Sequence, residues 1–184
     1  MQRHDADWEL YNRFQQGDEA GLAALISLHR ENLTSFIQGV LHSADEAEEL
    51  MIEAFAQLAA SGPRFQGRST LKTYLYRIGY NLALKQLRQR RREPGMSGRE
   101  IPEASLQAVS AETEFLRQAE SRRLMEGMAG LPVDYRTALN LVYFEGMGQK
   151  EAAAVMGKTP AQLNHLVQRG REALKQALEK EDPA

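Results

Sequence analysis

An all-α protein of two small helical domains is what the sequence predicts, and three observations predict it. Apolar residues recur at helical spacing over most of the 184 positions, while strict alternation of Val, Ile and Thr is nearly absent. The apolar fraction of 42% and charged fraction of 26% are those of a globular chain. The periodicity fails only between Glu93 and about Thr113, where Pro94, Gly95, Gly98 and Pro102 break helices and Ser and Glu are frequent. The domains therefore fall at residues 1–93 and 114–184, joined by a flexible linker at 94–113.

A first helix is expected from Asp7 to Gln16, stopped at Gly17. Asp18 caps a second, running to about Leu41 with Leu22, Leu25, Ile26, Leu33, Phe36, Ile37 and Val40 inward. A third spans about Asp45 to Ala60. Its first turns carry Asp45, Glu46, Glu48 and Glu49, which suit the positive end of a helix dipole, and Gly62-Pro63 ends it. Residues 64–70 read as a loop. A long helix then runs from about Leu71 to Arg92. At about 100° per residue it has two apolar stripes, Leu71, Leu75, Ile78 and Leu82, and Tyr76, Tyr80, Ala83 and Leu87. Its third face holds Tyr74, Arg77, Asn81, Lys85 and Arg88. Beyond the linker, helices are expected at 114–129 and from Leu131-Pro132 to Glu145-Gly146.

Net charge, −2, conceals a segregation. Residues 1–63 carry eleven acids and three bases, and residues 93–184 fourteen acids and eleven bases. Residues 64–92 carry nine bases and no acid: Arg64, Arg68, Lys72, Arg77, Lys85, Arg88, Arg90, Arg91 and Arg92, with Phe65, Tyr74, Tyr76 and Tyr80 threaded among them. Cations hold phosphates and flat rings hold unpaired bases, so this composition fits nucleic acid, single strands above all. A solvated basic face is the plain alternative. Arg77, Asn81, Lys85 and Arg88 share a face suited to backbone and a base edge, and Phe65 with its loop is placed to hold an extruded base. Tyr76 and Tyr80 continue an apolar stripe and belong to the core. Arg90, Arg91 and Arg92 are expected to give nonspecific attraction.

Residues 149–178 hold a second motif. Gln149 to Met156 forms a short helix, Gly157 takes a left-handed cap, Thr159 is an N-cap and Pro160 opens the next helix. Leu163, Leu166, Val167, Gly170, Leu174 and Leu178 face inward. Ala161, His165, Gln168 and Glu172 face outward, flanked by Asn164, Arg171 and Lys175. This is a helix-turn-helix, whose second helix enters a major groove, where Asn and Gln bond adenine and Arg and Lys hold guanine or phosphate. An αα-hairpin without DNA is its plain alternative.

Three segments, AEELMIEAFAQL (47–58), FQGRSTLKTYLYRIGYNLALKQLRQRRR (65–92) and LPVDYRTALNLVYFEGMGQKEAAAVMGKTPAQLNHLVQRGREAL (131–174), together resemble the extracytoplasmic-function sigma factors of bacterial RNA polymerase. That resemblance implies a sigma-two domain and a sigma-four domain. It implies core RNA polymerase as partner, through the β′ clamp coiled coil and the β flap, with promoter DNA and an anti-sigma factor that clamps the domains. It places polymerase contacts at Asp45, Glu48, Glu49, Leu50, Met51, Glu53 and Phe55. Minus-ten contacts fall at Arg64, Phe65, Arg68, Lys72, Tyr74, Arg77, Asn81, Lys85 and Arg88. Minus-thirty-five contacts fall at Thr159, Gln162, Asn164, His165, Gln168, Arg169, Arg171 and Lys175. The chain departs from the family pattern at Ile52 (often Gln), Tyr74 (often Trp), Gly79-Tyr80 (often Ala-Arg), and Asn164 and Leu166 (often Lys and Arg). Gly79 costs up to about 1 kcal/mol in a helix relative to Ala and signals a bend or a close approach.

Other classes are poorly served. The absence of cysteine removes disulfides and thiolate metal sites, and fits a reducing compartment. No apolar run nears the roughly eighteen residues of a membrane span, and no signal-peptide pattern opens the chain, so a cytoplasmic protein without membrane insertion is expected. His4, His29, His42 and His165 are scattered, with no ligand or triad spacing. No catalysis, cofactor, metal or small-molecule substrate is expected. Two rival readings are a stand-alone helix-turn-helix regulator and a sigma-like interaction protein without promoter activity.

Overall fold

The computed structural model describes residues 6–62, 65, 67–92 and 111–180, without the side chains of 111–119. The elements are α1 (Ala6–Gln15), α2 (Glu19–Leu41), α3 (Ala44–Ala60), α4 (Leu71–Arg92), α5 (Ala111–Ala129), α6 (Val133–Leu139), α7 (Gln149–Met156) and α8 (Pro160–Lys180). Among the described residues there is no strand. The expected linker lies mostly outside the described residues, and α5 begins three positions before the sequence placed it.

Asp18 caps α2 as expected, its Oδ1 accepting the Ala20 N–H at 3.1 Å. Leu33, Phe36, Ile37 and Val40 on α2 meet Ala47, Ala54 and Leu58 of α3, all essentially inaccessible. Burial of each large aliphatic side chain contributes about 1.5–3 kcal/mol. The first helix is pinned over this pair. The Tyr11 hydroxyl donates to the carbonyls of Leu58 and Gly62, each at 3.3 Å, and Asp7 pairs with His29 at 2.9 Å. The α1–α2 crossing needs a glycine: a Cβ at Gly21 would overlap the Leu10 carbonyl oxygen and come within 2.9 Å of the Phe14 nitrogen.

Helix α4 completes the N-terminal domain. Leu71, Leu75 and Leu82 of one stripe and Tyr76, Tyr80 and Ala83 of the other are buried. The Phe36 and Tyr76 rings pack with centroids 5.2 Å apart. Gly79 marks a close approach: a Cβ there would lie 3.1–3.4 Å from Leu33 and Ile37.

In the C-terminal domain α6 packs along α8, with Gly170 against Leu139 and Tyr135. The helix expected to run unbroken to Glu145 changes character. After Leu139 the chain widens into a π turn over Asn140–Phe144, closed by the Glu145 N–H on the Asn140 carbonyl at 3.0 Å. The wider turn takes Tyr143 and Phe144 to the surface, 57% and 51% exposed, and aims Glu145 inward. Gly157 adopts φ 64° between α7 and α8, as the turn requires.

The two domains do not sit apart. Helix α7 packs on α4 and α6 on the end of α2, so one apolar cluster runs from Ile37 and Tyr76 into Ala138, Leu141, Ala152, Val155 and Leu163. Replacement of Gly21 by Ala gains helix propensity of about 1 kcal/mol, but the clash is with backbone, which cannot rotate away. The expected result for Gly21→Ala is a net loss of about 1–3 kcal/mol, visible as a lower Tm in thermal unfolding followed by circular dichroism. A Tm equal to or above wild type would show that α1 can move aside.

Candidate nucleic-acid interface

The outer face of α4 follows from the two stripes. With both apolar sides covered, Arg77, Asn81, Lys85 and Arg88 are exposed, and Tyr74 is half-buried. Arg68 is exposed in the preceding loop, and Arg64 lies outside the described residues. The N-terminus of α4 is organised by Thr70, whose Oγ1 accepts the Thr73 N–H at 3.2 Å. No acid occurs on α4, so the field over this face is positive along its length.

Phe65, expected to hold an extruded base, is corrected by its surroundings. It is 7% exposed and enclosed by Trp8 at 5.3 Å, Tyr11 at 5.9 Å and Tyr74 at 4.9 Å between centroids. The α1 aromatics that claim it lie more than fifty residues away in sequence, which local reading did not connect. Tyr74 shares this cluster, and its hydroxyl meets Ser61 Oγ at 3.1 Å. Tyr76 and Tyr80 are core, as expected. Burial raises the Tyr80 hydroxyl pKa to about 12, helped by Asp134.

Two further cations are engaged elsewhere. Lys72 turns to the C-terminal domain, its ammonium 3.2 Å from Glu145 Oε2. Arg90, expected to be a loose attractor, is structural: it pairs with Glu46 and donates to the Leu41 carbonyl at 2.9 Å. Arg91 and Arg92 stay exposed.

Arg90 belongs to a set of donors that crowns the C-terminus of α2. The last carbonyls of a helix lack intrahelical partners. Here Gln38 is bonded by the His42 N–H at 2.8 Å, Gly39 by Arg136 Nε at 2.6 Å, Val40 by Arg136 Nη2 at 3.1 Å and Leu41 by Arg90. Arg136 also caps α5 through Ala129 and Leu131. It is 7% exposed, and burial pulls its pKa down to about 10. Sequence reading missed Arg136 and Glu145. A lone Arg or Glu in an amphipathic helix carries no signal of a distant partner.

On α8, Asn164, His165, Gln168, Arg169, Arg171 and Lys175 are all exposed, as the expected recognition face requires. Thr159 and Gln162 do something else: Thr159 Oγ1 accepts the Gln162 N–H at 3.2 Å, and Gln162 Oε1 accepts the Thr159 N–H at 2.9 Å. This reciprocal cap engages the Gln162 carbonyl oxygen and fixes the side chain against the helix start. Leu166 is half-buried and packs on the core, as its stripe predicted.

The acidic face of α3 is wet. Asp45, Glu48, Glu49 and Glu53 are exposed and Leu50 and Met51 half-buried, whereas Phe55, expected at a partner surface, is 4% exposed and packs inside. Ile52, unassigned by the sequence reading, is 64% exposed among these acids. Among the described residues no His, Asp and Glu cluster could hold a metal ion, and no helix is long and apolar enough to cross a membrane.

Comparison with known proteins returns two family models in the same order as the two motifs. Residues 25–93 match sigma-70 region 2, and residues 121–174 match sigma-70 region 4. The chain is similar to the RNA polymerase sigma-H factor of Pseudomonas aeruginosa, 30% identical over 97% of each chain. It is also similar to the ECF RNA polymerase sigma-E factor of Escherichia coli, 27% identical over 95% of each. Among solved structures the fold is shared with CnrH in its complex with the cytosolic domain of CnrY, at TM-score 0.74 and 20% identity over 97% of this chain and all of that one. It is shared too with the sigma factor RpoE of Bartonella quintana, solved with the anti-sigma factor NepR, at TM-score 0.69 and 24% identity over 85% of this chain and 96% of that one.

The cap of α2 makes a pH prediction. His42 takes φ 56° at the helix end, and burial, then Arg136 and Arg90, hold its imidazole pKa below the usual 6.5. The unfolded chain therefore binds this proton at higher pH than the native chain. Stability is full above about 6.5 and is lost as pH falls from there through the native value. Asn tolerates the left-handed conformation. His42→Asn is expected to shrink the fall in Tm between about pH 7.5 and pH 5.5. An identical pH dependence in the variant would remove His42 from that role.

Proposed function

The chain belongs to the extracytoplasmic-function group of the sigma-70 family, and from that premise we propose how its residues work. It is a sigma factor, which binds core RNA polymerase and directs promoter recognition, melting and initiation. The proposal is that residues 1–93 form the docking and melting domain, 94–113 a linker and 114–184 the minus-thirty-five domain. The observation that carries the reading is the exposed row Arg77, Asn81, Lys85 and Arg88 on a helix whose other two faces are buried. Packing accounts for the exposure of this face, but not for three cations there with no acid anywhere on the helix.

The work asked of this face is binding, not chemistry. Unstacking a base costs a few kcal/mol. Capture of an unpaired base on a flat ring returns about 1–3 kcal/mol, and phosphate contacts add to it. With Phe65 enclosed, base capture falls to the α4 face itself, to Tyr74 and to the loop carrying Arg68. The acidic face of α3 is proposed as the polymerase contact. Its exposed apolar group is Ile52 with parts of Leu50 and Met51, oriented by Glu48, Glu49 and Glu53. Phe55 supports that surface from within. On α8, Asn164, Gln168 and Arg171 are proposed to reach base edges and phosphates, with Arg169 and Lys175 on the backbone. The protein acts in the cytoplasm, without a reaction of its own, and an anti-sigma factor is included among its partners.

Run-off transcription from a genomic promoter library, with core enzyme and this chain, tests the function. Specific start sites that appear only when both are present are expected, and their absence would overturn it. A gel shift on duplex DNA that shows specific binding without polymerase would favour the stand-alone regulator. Arg77→Ala with Lys85→Ala should abolish promoter opening while polymerase binding survives. Permanganate footprinting that still finds a bubble would refute the melting face. Gln168→Ala should relax minus-thirty-five sequence preference more than it lowers affinity. A uniform loss across sequences would argue against base contact there.

A further inference from the structure

The C-terminal half of α4 is held differently from its first half. Among the described residues the buried positions of α4 end at Ala83, and beyond it Leu84 and Leu87 are half-buried. Lys85 and Arg88 stand exposed on this stretch. What fixes it from behind is polar. Gln86 and Arg90, one turn apart, both donate to Glu46 Oε1, the Gln86 amide at 3.1 Å and Arg90 Nε at 3.3 Å. Another guanidinium nitrogen of Arg90 pairs with the second Glu46 carboxylate oxygen. The remaining one donates to the Leu41 carbonyl at 2.9 Å. Arg90 thus ties the end of α2, the first turn of α3 and the last turn of α4 at one point. At about 100° per residue, Gln86 and Arg90 lie on the side of α4 opposite Lys85 and Arg88.

Glu46 heads the same helix that carries Glu48, Glu49, Ile52 and Glu53, the face assigned to polymerase, while Arg90 belongs to the helix assigned to DNA. We propose that Glu46 is a positioning residue for promoter opening: through Arg90 and Gln86 it locks the C-terminal turns of α4 to the start of α3, so that docking of α3 also fixes where Lys85 and Arg88 meet the strands. Both helix roles rest on the sigma-factor reading, which by itself gives Glu46 no part. By charge alone Glu46 opposes nucleic-acid binding, since it offsets a cation of α4. Its contribution is order. A helix end held by few buried contacts opens locally, and each ammonium or guanidinium on it must then be ordered again when a strand arrives. A cation already held in place avoids that cost. Charge and order therefore predict opposite signs for the removal of Glu46.

Glu46→Gln and Glu46→Lys in the full-length chain test that sign. Each makes the protein more positive, Glu46→Lys the more so. With core polymerase and a promoter taken from the run-off assay, polymerase affinity is expected to stay within about twofold of the parent. Open complex, read by permanganate, should fall about fivefold in Glu46→Gln and further in Glu46→Lys. Opening equal to or above the parent overturns the proposal. Hydrogen exchange of the free chain supplies the second arm. Glu46→Gln should speed exchange over residues 84–92 by about tenfold while residues 71–83 keep the parent rate. Exchange that rises equally along all of α4, or not at all, overturns the clamp. Arg91→Gln removes a cation from the same exposed end without touching Glu46, and it should leave exchange over 84–92 as in the parent. A rise equal to that of Glu46→Gln would overturn the assignment. If either Glu46 variant loses helical circular dichroism, Gln86→Ala, which removes one bond and no charge, decides by the same exchange readout, with a smaller rise expected and no rise overturning the clamp. The exchange arm uses no polymerase or DNA, so failure of the transcription assay leaves the clamp testable. Start sites that appear with unchanged opening in Glu46→Gln sink the positioning role and leave the sigma-factor reading intact.

Discussion

One helix with two apolar stripes sets the terms for the rest of the molecule. Helix α4 cannot be buried by a single neighbour, because its stripes point to different sides. One is covered within the N-terminal domain by α2 and α3. The other meets Phe36 of α2 through Tyr76 and runs into the C-terminal domain, whose α7 packs on α4. Among the described residues the remaining face is left exposed at Arg77, Asn81, Lys85 and Arg88. Exposure of the Arg77–Arg88 row is thus a consequence of geometry, since a helix between two packed bodies leaves its third face to solvent.

The same need for partners explains how a polar interface joins the two bodies. The C-terminal carbonyls of α2 are obligatory acceptors, and an unbonded one buried at a domain boundary costs about 1–3 kcal/mol. His42 satisfies one locally, but Arg90 and Arg136 satisfy the rest from α4 and from the other domain. A guanidinium suits this role because its fixed fork reaches adjacent carbonyls while the helix dipole favours its charge. The cost is a buried cation that, among the described residues, is bonded to carbonyls rather than to a carboxylate, and burial lowers the pKa of Arg136. These polar contacts border an apolar junction, where α7 packs on α4 and one buried cluster runs from Tyr76 into Ala152, Val155 and Leu163.

What was legible in the sequence were the patterns with a short period. Helix limits at Leu71–Arg92 and Gln149–Met156, the Asp18 cap, the Gly157 turn and the two stripes of α4 follow from local spacing and recur in the structure. The close approach at Gly79 was legible too, because a glycine inside a good helix needs a reason. What failed were readings that required a distant partner. Phe65 looked free until α1 supplied Trp8 and Tyr11, and Arg90 looked loose until α3 supplied Glu46. The π turn at Asn140–Phe144 has no marker in composition, yet it turns Glu145 inward.

These corrections bear on which charges remain for nucleic acid. Of the nine cations between 64 and 92, the sequence cannot rank one above another, since none has a local acid. The fold ranks them by bringing acids from elsewhere. Glu46 from α3 takes Arg90 near one end of α4, and Glu145 from the C-terminal domain takes Lys72 near the other. Both acids approach from the buried sides, so neither can reach the outward row. Arg77, Lys85 and Arg88 therefore stay on the exposed face of α4, where no ion pair to an acid forms among the described residues. Lys72 differs from them in one respect: its acid, Glu145, comes from the C-terminal domain. The fold thus sorts the described cations of this segment into those held by acids and those left on the outer face.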